Sequence, residues 1–150
     1  MKTNIIILAL VFCLYYSSSA QTFNPQLDHT TILVSDLETS SNFYKDILQF
    51  KELETPWGVI NWGRFFSIGN NQQLHLAKVD TDSIKLNKFL HIAFTVQDFD
   101  AYLRFLTEKG IEYGNFAGDS KKPQIRPDGV KQVYFQDPDG YWIEINDRKH

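Results

Sequence analysis

Residues 27–44, LDHTTILVSDLETSSNFY, and residues 89–106, FLHIAFTVQDFDAYLRFL, are two versions of one unit. With His29 set against His91, Val34 meets Val96, Asp36 meets Asp98, Leu37 meets Phe99 and Phe43 meets Phe105, all at a spacing of 62. Each copy runs from a β-rich stretch through an aspartate to apolar residues near helical spacing, the order strand, cap, helix. Further out, Leu74-His75-Leu76 meets Ile143-Glu144-Ile145 at a spacing of 69, the extra seven residues fitting a longer loop in the second half. Side chains able to ligate a metal therefore recur at equivalent points of a duplicated unit. A single metal site on a pseudo-two-fold axis is written this way.

The remaining elements follow from local signals. The first helix is expected over 37–47, with strands at 50–55, 60–68 and 73–78 separated by Pro56-Trp57-Gly58 and Gly69-Asn70-Asn71. In the second half a strand is expected over 89–96, a helix over 99–109 ended by Gly110, and a strand over 111–116. Residues 117–129 read as a loop, and 130–136 with 141–146 as a hairpin about Asp137-Pro138-Asp139-Gly140. Strand parity then places His29 with Leu27, Thr31 and Leu33, His91 with Ala93 and Thr95, His75 with Gln73 and Ala77, and Glu144 with Trp142 and Asn146. The opposite faces carry Ile32 and Val34, Leu74 and Leu76, Leu90 to Val96 in alternation, and Ile143 and Ile145. The expected fold class is α+β. Two tandem βαβββ modules, 27–78 and 89–146, form a curved eight-stranded mixed sheet around a metal site, with the helices outside.

The N-terminus reads as an address. Lys2, the apolar run 5–16 and Ser18-Ser19-Ala20 make a secretory signal peptide over 1–20, cut before Gln21, with a linker at 21–26 and one domain over 27–150. The run is short of the ~20 residues needed to span a bilayer, so no stable membrane span is expected after cleavage. Secretion or a periplasmic location follows. The full chain has 15 basic and 18 acidic residues, and loss of Lys2 takes the mature charge to 14 − 18 = −4 with histidines neutral. No basic run is present beyond Lys121-Lys122, which argues against nucleic acid as a partner. Cys13 is the sole cysteine and leaves with the leader. Any metal must then be held by nitrogen and oxygen, and disulfides and thiol nucleophiles are excluded.

These segments, together with QLHLAK at 73–78 and RPDGVKQVYFQDPDGYWIEI at 126–145, resemble the vicinal oxygen chelate superfamily. That group includes glyoxalase I, fosfomycin-resistance enzymes, extradiol dioxygenases and bleomycin-resistance proteins. The likeness spans roughly 27–146, and DPDGYWIEI is its most specific part. It implies a metal at His29, His75, His91 and Glu144, on the first and last strand of each module. Bacterial glyoxalase I is similar in having histidine at the first and third positions and glutamate at the last. This chain departs in having His75 where that enzyme has a second glutamate. It also has Gln49 where many relatives carry glycine.

Three imidazoles and one carboxylate suit Zn²⁺, Ni²⁺, Fe²⁺, Mn²⁺ or Co²⁺. Two adjacent coordination positions then remain for neighbouring substrate oxygens, and the Lewis acid acidifies a C–H beside a carbonyl. Glu144 is assigned as ligand and as the catalytic proton shuttle, as the glyoxalase resemblance implies. The resemblance makes a glyoxalase I-like lyase or isomerase of a small carbonyl substrate the leading expectation. An Fe²⁺ extradiol dioxygenase using His29, His91 and Glu144 is the first alternative, and a non-catalytic small-molecule binder of the bleomycin-resistance kind the second. Relatives often form homodimers, and the metal site is open to either an intra-chain or a cross-protomer arrangement. Trp62 and Phe65, with Trp57 and Phe66, offer an apolar pocket wall; Arg126 offers an anion clamp, and Trp142 shares the face of Glu144. An isolated strand histidine is more often merely half-buried, as is usual for that residue type. The weight of the reading rests on the repeat.

Overall fold

The computed structural model describes residues 25–55, 60–79 and 86–149. The expected leader at 1–20, most of the expected linker, and Trp57 lie outside them. The elements run β1 (His29–Val34), α1 (Leu37–Asp46), β2 (Lys51–Glu52), β3 (Gly63–Gly69), β4 (Gln72–Lys78), β5 (His91–Thr95), α2 (Phe99–Glu108), β6 (Gln124–Ile125), β7 (Lys131–Gln136) and β8 (Trp142–Asn146). Both helices start at the expected aspartate. Asp36 accepts from the Thr39 amide and Asp98 from the Ala101 amide, each satisfying a donor that the first helical turn leaves orphaned.

The tandem βαβββ modules are present, and their eight strands form two hydrogen-bonded sheets of four. The orders are β1-β4-β3-β2 and β5-β8-β7-β6. In each, the first strand pairs parallel with the last, and the other pairings are antiparallel. Parity works as expected on β1, β4 and β8: Ile32, Val34, Leu74, Leu76, Ile143 and Ile145 are all buried. Helix α1 adds Leu37 and Tyr44, and α2 adds Phe99, Leu103 and Leu106, to a single core that also takes Val133 and Phe135. Each fully buried aliphatic side chain contributes about 1.5–3 kcal/mol.

The modules are locked together by polar contacts at the Asp137–Gly140 turn. Asp139 accepts from the Ser35 amide and hydroxyl and from the Ser40 hydroxyl, all within 2.7 Å. Tyr44 Oη donates to Asp137 Oδ2 at 2.7 Å, and Tyr141 Oη accepts from the Leu33 amide. A turn that reads in sequence as a device for strand register is therefore also the latch between modules.

Three expectations are corrected. No strand forms over 111–116. Gly114 makes one bridge to Tyr134, and the Asn115 side chain then closes a tight loop by accepting from Gly118 and Ser120. The short strand β6 falls instead at Gln124–Ile125, inside the stretch read as loop, because the Arg126–Val130 turn folds it back on β7. Leu90 does not join the buried face. Asn87 turns the chain by binding the Phe89 and Leu90 amides, so β5 begins at His91 and both apolar residues are exposed.

Candidate metal centre

His29 and His75 stand on neighbouring parallel strands, His29 opposite Gln73 and two residues short of the His75 level. That offset stacks their rings with centroids 4.2 Å apart and planes 11° from parallel. The second module repeats the arrangement: His91 stands opposite Trp142, two residues short of Glu144, and its Nε2 lies 3.3 Å from Glu144 Oε2. The sequence repeat is thus a spatial repeat. Each module brings together two ligand-type side chains. The four are not brought together within one chain: among the described residues no three of His, Cys, Asp and Glu are grouped closely enough to hold a metal.

The surroundings orient each group. His91 Nδ1 lies 2.8 Å from the Lys88 carbonyl, which can only accept, so Nδ1 carries a hydrogen and Nε2 is the nitrogen turned toward Glu144. His29 Nδ1 lies 2.6 Å from Asp28 Oδ2, so Nδ1 is the engaged nitrogen and Nε2 the one left for a ligand. His75 Nε2 lies 2.9 Å from Gln73 Oε1. Burial, then the neighbouring His29, holds the His75 imidazole below its ordinary pKa, favouring the neutral ring that a metal requires. Glu144 is buried; its Oε2 accepts from Tyr134 Oη at 2.5 Å and its Oε1 from Asn146 Nδ2 at 2.8 Å. Burial and the adjacent Glu144 push the Tyr134 hydroxyl well up, so it stays a donor.

The other expected site residues are dispersed. Phe65 is buried edge-on against His75, ring centroids 4.3 Å apart, and its neighbour Phe66 is pure core. Trp62 is exposed, touching Phe65 edge-on. Arg126 is tied to Asp128 at 2.8 Å, so much of its charge is already balanced. Trp142 lies under the Lys88 ammonium, 4.1 Å from ring centre to Nζ. Sequence reasoning missed Tyr134, Asn146 and Lys88. Tyr134 had a signal: it follows Phe65 by the same 69 residues that separate His75 from Glu144, and each aromatic pairs directly across the strand with its ligand candidate.

The profile described as Glyoxalase/Bleomycin resistance protein/Dioxygenase superfamily matches residues 26–145. The chain belongs to that superfamily. This superfamily member is similar to a metallothiol transferase FosB from Shouchella clausii, 28% identical over 123 residues and covering 80% of this chain and 78% of that protein. It is similar also to Glyoxylase I 4 of Arabidopsis thaliana, 28% identical over 125 residues, covering 79% of this chain and 68% of that one. Among solved structures, the oxidase ChaP-H2 superposes with a TM-score of 0.70 at 26% identity, covering 85% of this chain and 97% of that chain. Members of the superfamily use divalent metals. The donor set here fits one: His29 and His91 each have Nδ1 engaged by a neighbouring acceptor, which turns Nε2 outward as the ligating nitrogen, and the buried carboxylate is oriented by the Tyr134 hydroxyl and the Asn146 amide.

Proposed function

We propose that this chain is an exported, homodimeric metalloenzyme in which His29 and His75 of one protomer and His91 and Glu144 of the other hold one divalent ion. Its reaction is that of a glyoxalase I-like lyase or isomerase on a small carbonyl compound with two neighbouring oxygens. The observation that carries this reading is the pair of preformed half-sites, alike in strand geometry and separate within the chain. The flanks of the half-sites support a second copy. Leu27, Phe89 and Leu90 are 61, 82 and 61% exposed beside His29 and His91. β1 and β5 are the outermost strands of their sheets, and an apolar sheet edge invites another edge.

The bound ion would supply Lewis acidity toward a chelated carbonyl. Glu144 takes and returns the substrate proton, and the Tyr134 hydroxyl and Asn146 amide fix the orientation of its carboxylate. A second reading, thiol transfer to an activated electrophile, is favoured by His75. That imidazole leaves the ligand set with one carboxylate, and the Shouchella clausii relative carries the name metallothiol transferase.

Mixed dimers test the arrangement. His29→Ala and His91→Ala chains, each refolded alone, are expected to lose stoichiometric metal by elemental analysis. Refolded together, they regain one intact site per mixed dimer, because one interface unites the unaltered half of each chain. No recovery in a mixture shown to contain mixed dimers would sink the shared site. Turnover of a methylglyoxal hemithioacetal by the metal-loaded native chain, lost in Glu144→Gln, tests the reaction.

A further inference from the structure

Beside the His91–Glu144 pair lies a cavity of about 580 Å³ whose walls include Lys88, Tyr113, Asn115, Tyr134, Gln136 and Trp142. It shares two walls with the half-site. The Lys88 carbonyl receives His91 Nδ1, and Tyr134 is the residue that donates to Glu144.

The Lys88 ammonium sits among aromatic rings, 4.1 Å from the centre of Trp142, 5.9 Å from Tyr134 and 6.0 Å from Phe116. One of its three N–H donors reaches the Asn115 carbonyl at 3.3 Å, which leaves two for the cavity. Neighbouring cations are already balanced: Lys121 by Glu112, Arg126 by Asp128 and Lys131 by Asp100. Among the described residues, Lys88 has no such carboxylate partner. The aromatic faces replace part of its water and thereby strengthen its attraction to an incoming anion. Two carboxylates also border the cavity; Glu112 is paired with Lys121, and Asp119 accepts from Asn115 Nδ2 at 2.6 Å.

We propose that Lys88 is a specificity-determining residue, selecting a substrate that carries a carboxylate on an apolar arm in addition to its two chelating oxygens. The arm lies along Trp142 and Tyr134, and the carboxylate meets the ammonium. One ammonium with no ion-pair partner among the described residues, with the Asp119 carboxylate on the same wall, suits a monoanion and not a phosphate dianion. This inference rests on the metal site above for the position of the substrate's other end.

The test is calorimetric titration of the full chain with benzoate, with its neutral isostere benzamide, and with phenyl phosphate. Benzoate is expected to bind at least ten-fold tighter than either of the others. Lys88→Met and Lys88→Gln bring benzoate to the benzamide level, while Lys88→Arg keeps the preference. Equal binding of benzoate and benzamide, binding of neither, tighter phenyl phosphate, or a preference that survives in a folded Lys88→Met or Lys88→Gln chain overturns the proposal. Metal content measured on the same preparations separates the two readings. A chain that loads metal but ignores benzoate keeps the metal site and loses the subsite; one that selects benzoate through Lys88 but takes up no metal does the reverse.

Discussion

Tyr134 Oη donates to Glu144 Oε2 at 2.5 Å from a position that, in the first module, is filled by Phe65 facing His75. The duplicated halves have diverged in step: a hydroxyl stands where the ligand candidate is a carboxylate, and a bare ring where it is an imidazole. Tyr134→Phe removes that donor from a buried carboxylate, which costs about 1–3 kcal/mol. It also weakens metal affinity about 10–100-fold, the usual effect of losing a group that orients a ligand. Urea denaturation and metal titration check the two effects separately.

By the sequence resemblance, His75 is expected to fall where bacterial glyoxalase I has its second glutamate. His75→Glu adds a second carboxylate to the set, and general-base catalysis is typically worth about 10²-fold or more. The variant is expected to raise turnover of a methylglyoxal hemithioacetal by at least ten-fold at saturating metal, read as kcat in a steady-state assay. Unchanged or lower kcat would favour thiol transfer as the native reaction.

Asp137 is buried, and burial raises its carboxyl pKa above the ordinary aspartate value despite the Tyr44 hydroxyl and the Asp139 and Tyr141 amides that bind it. Between the unfolded value of about 3.9 and the higher folded one, the folded chain binds more protons. Ionised Asp137 thus costs stability at neutral pH, and that cost is relieved as the pH falls through the folded value. The difference in unfolding free energy between the native chain and Asp137→Asn should therefore shift toward the native chain on acidification across that window. A pH-independent difference would contradict the raised pKa.

Gln49 has φ +56° at the end of α1, where the Phe50 amide reaches back to the Tyr44 carbonyl at 3.1 Å. Gln49 thus holds a left-handed backbone conformation just past the helix end, one that favours glycine. Gln49 is exposed, so its side chain contributes little packing. Gln49→Gly is expected to stabilise the fold by roughly 1 kcal/mol, seen as a higher midpoint in chemical denaturation with an unchanged slope.

Much of the fold was legible because its strongest signals are local. The Asp36 and Asp98 caps mark both helix starts, and alternation in TILV and WIEI marks which face of β1 and β8 is buried. The weak edge strands were not legible in the same way. β2 and β6 are two residues each and exist only because β3 and β7 offer them backbone partners. Nothing in Gln124-Ile125 distinguishes it from the loop around it. Lys88 was hidden for a similar reason: its place over Trp142 depends on a turn at 87–90 that re-aims the chain before β5.

The repeat of 62 and 69 residues determined the two modules, the kinds of side chain at the four candidate ligand positions, and the sheet face each would share. Parity and periodicity are stereochemical properties of a few consecutive residues, so they survive in the sequence as written. Which ligands meet within a chain was decided only in three dimensions. It follows from the parallel pairing of first and last strands in each module, and from the docking of α1 on the Asp137–Gly140 turn through Tyr44, Ser35 and Ser40. Those contacts join residues about a hundred positions apart, and no local pattern encodes the angle at which two modules dock.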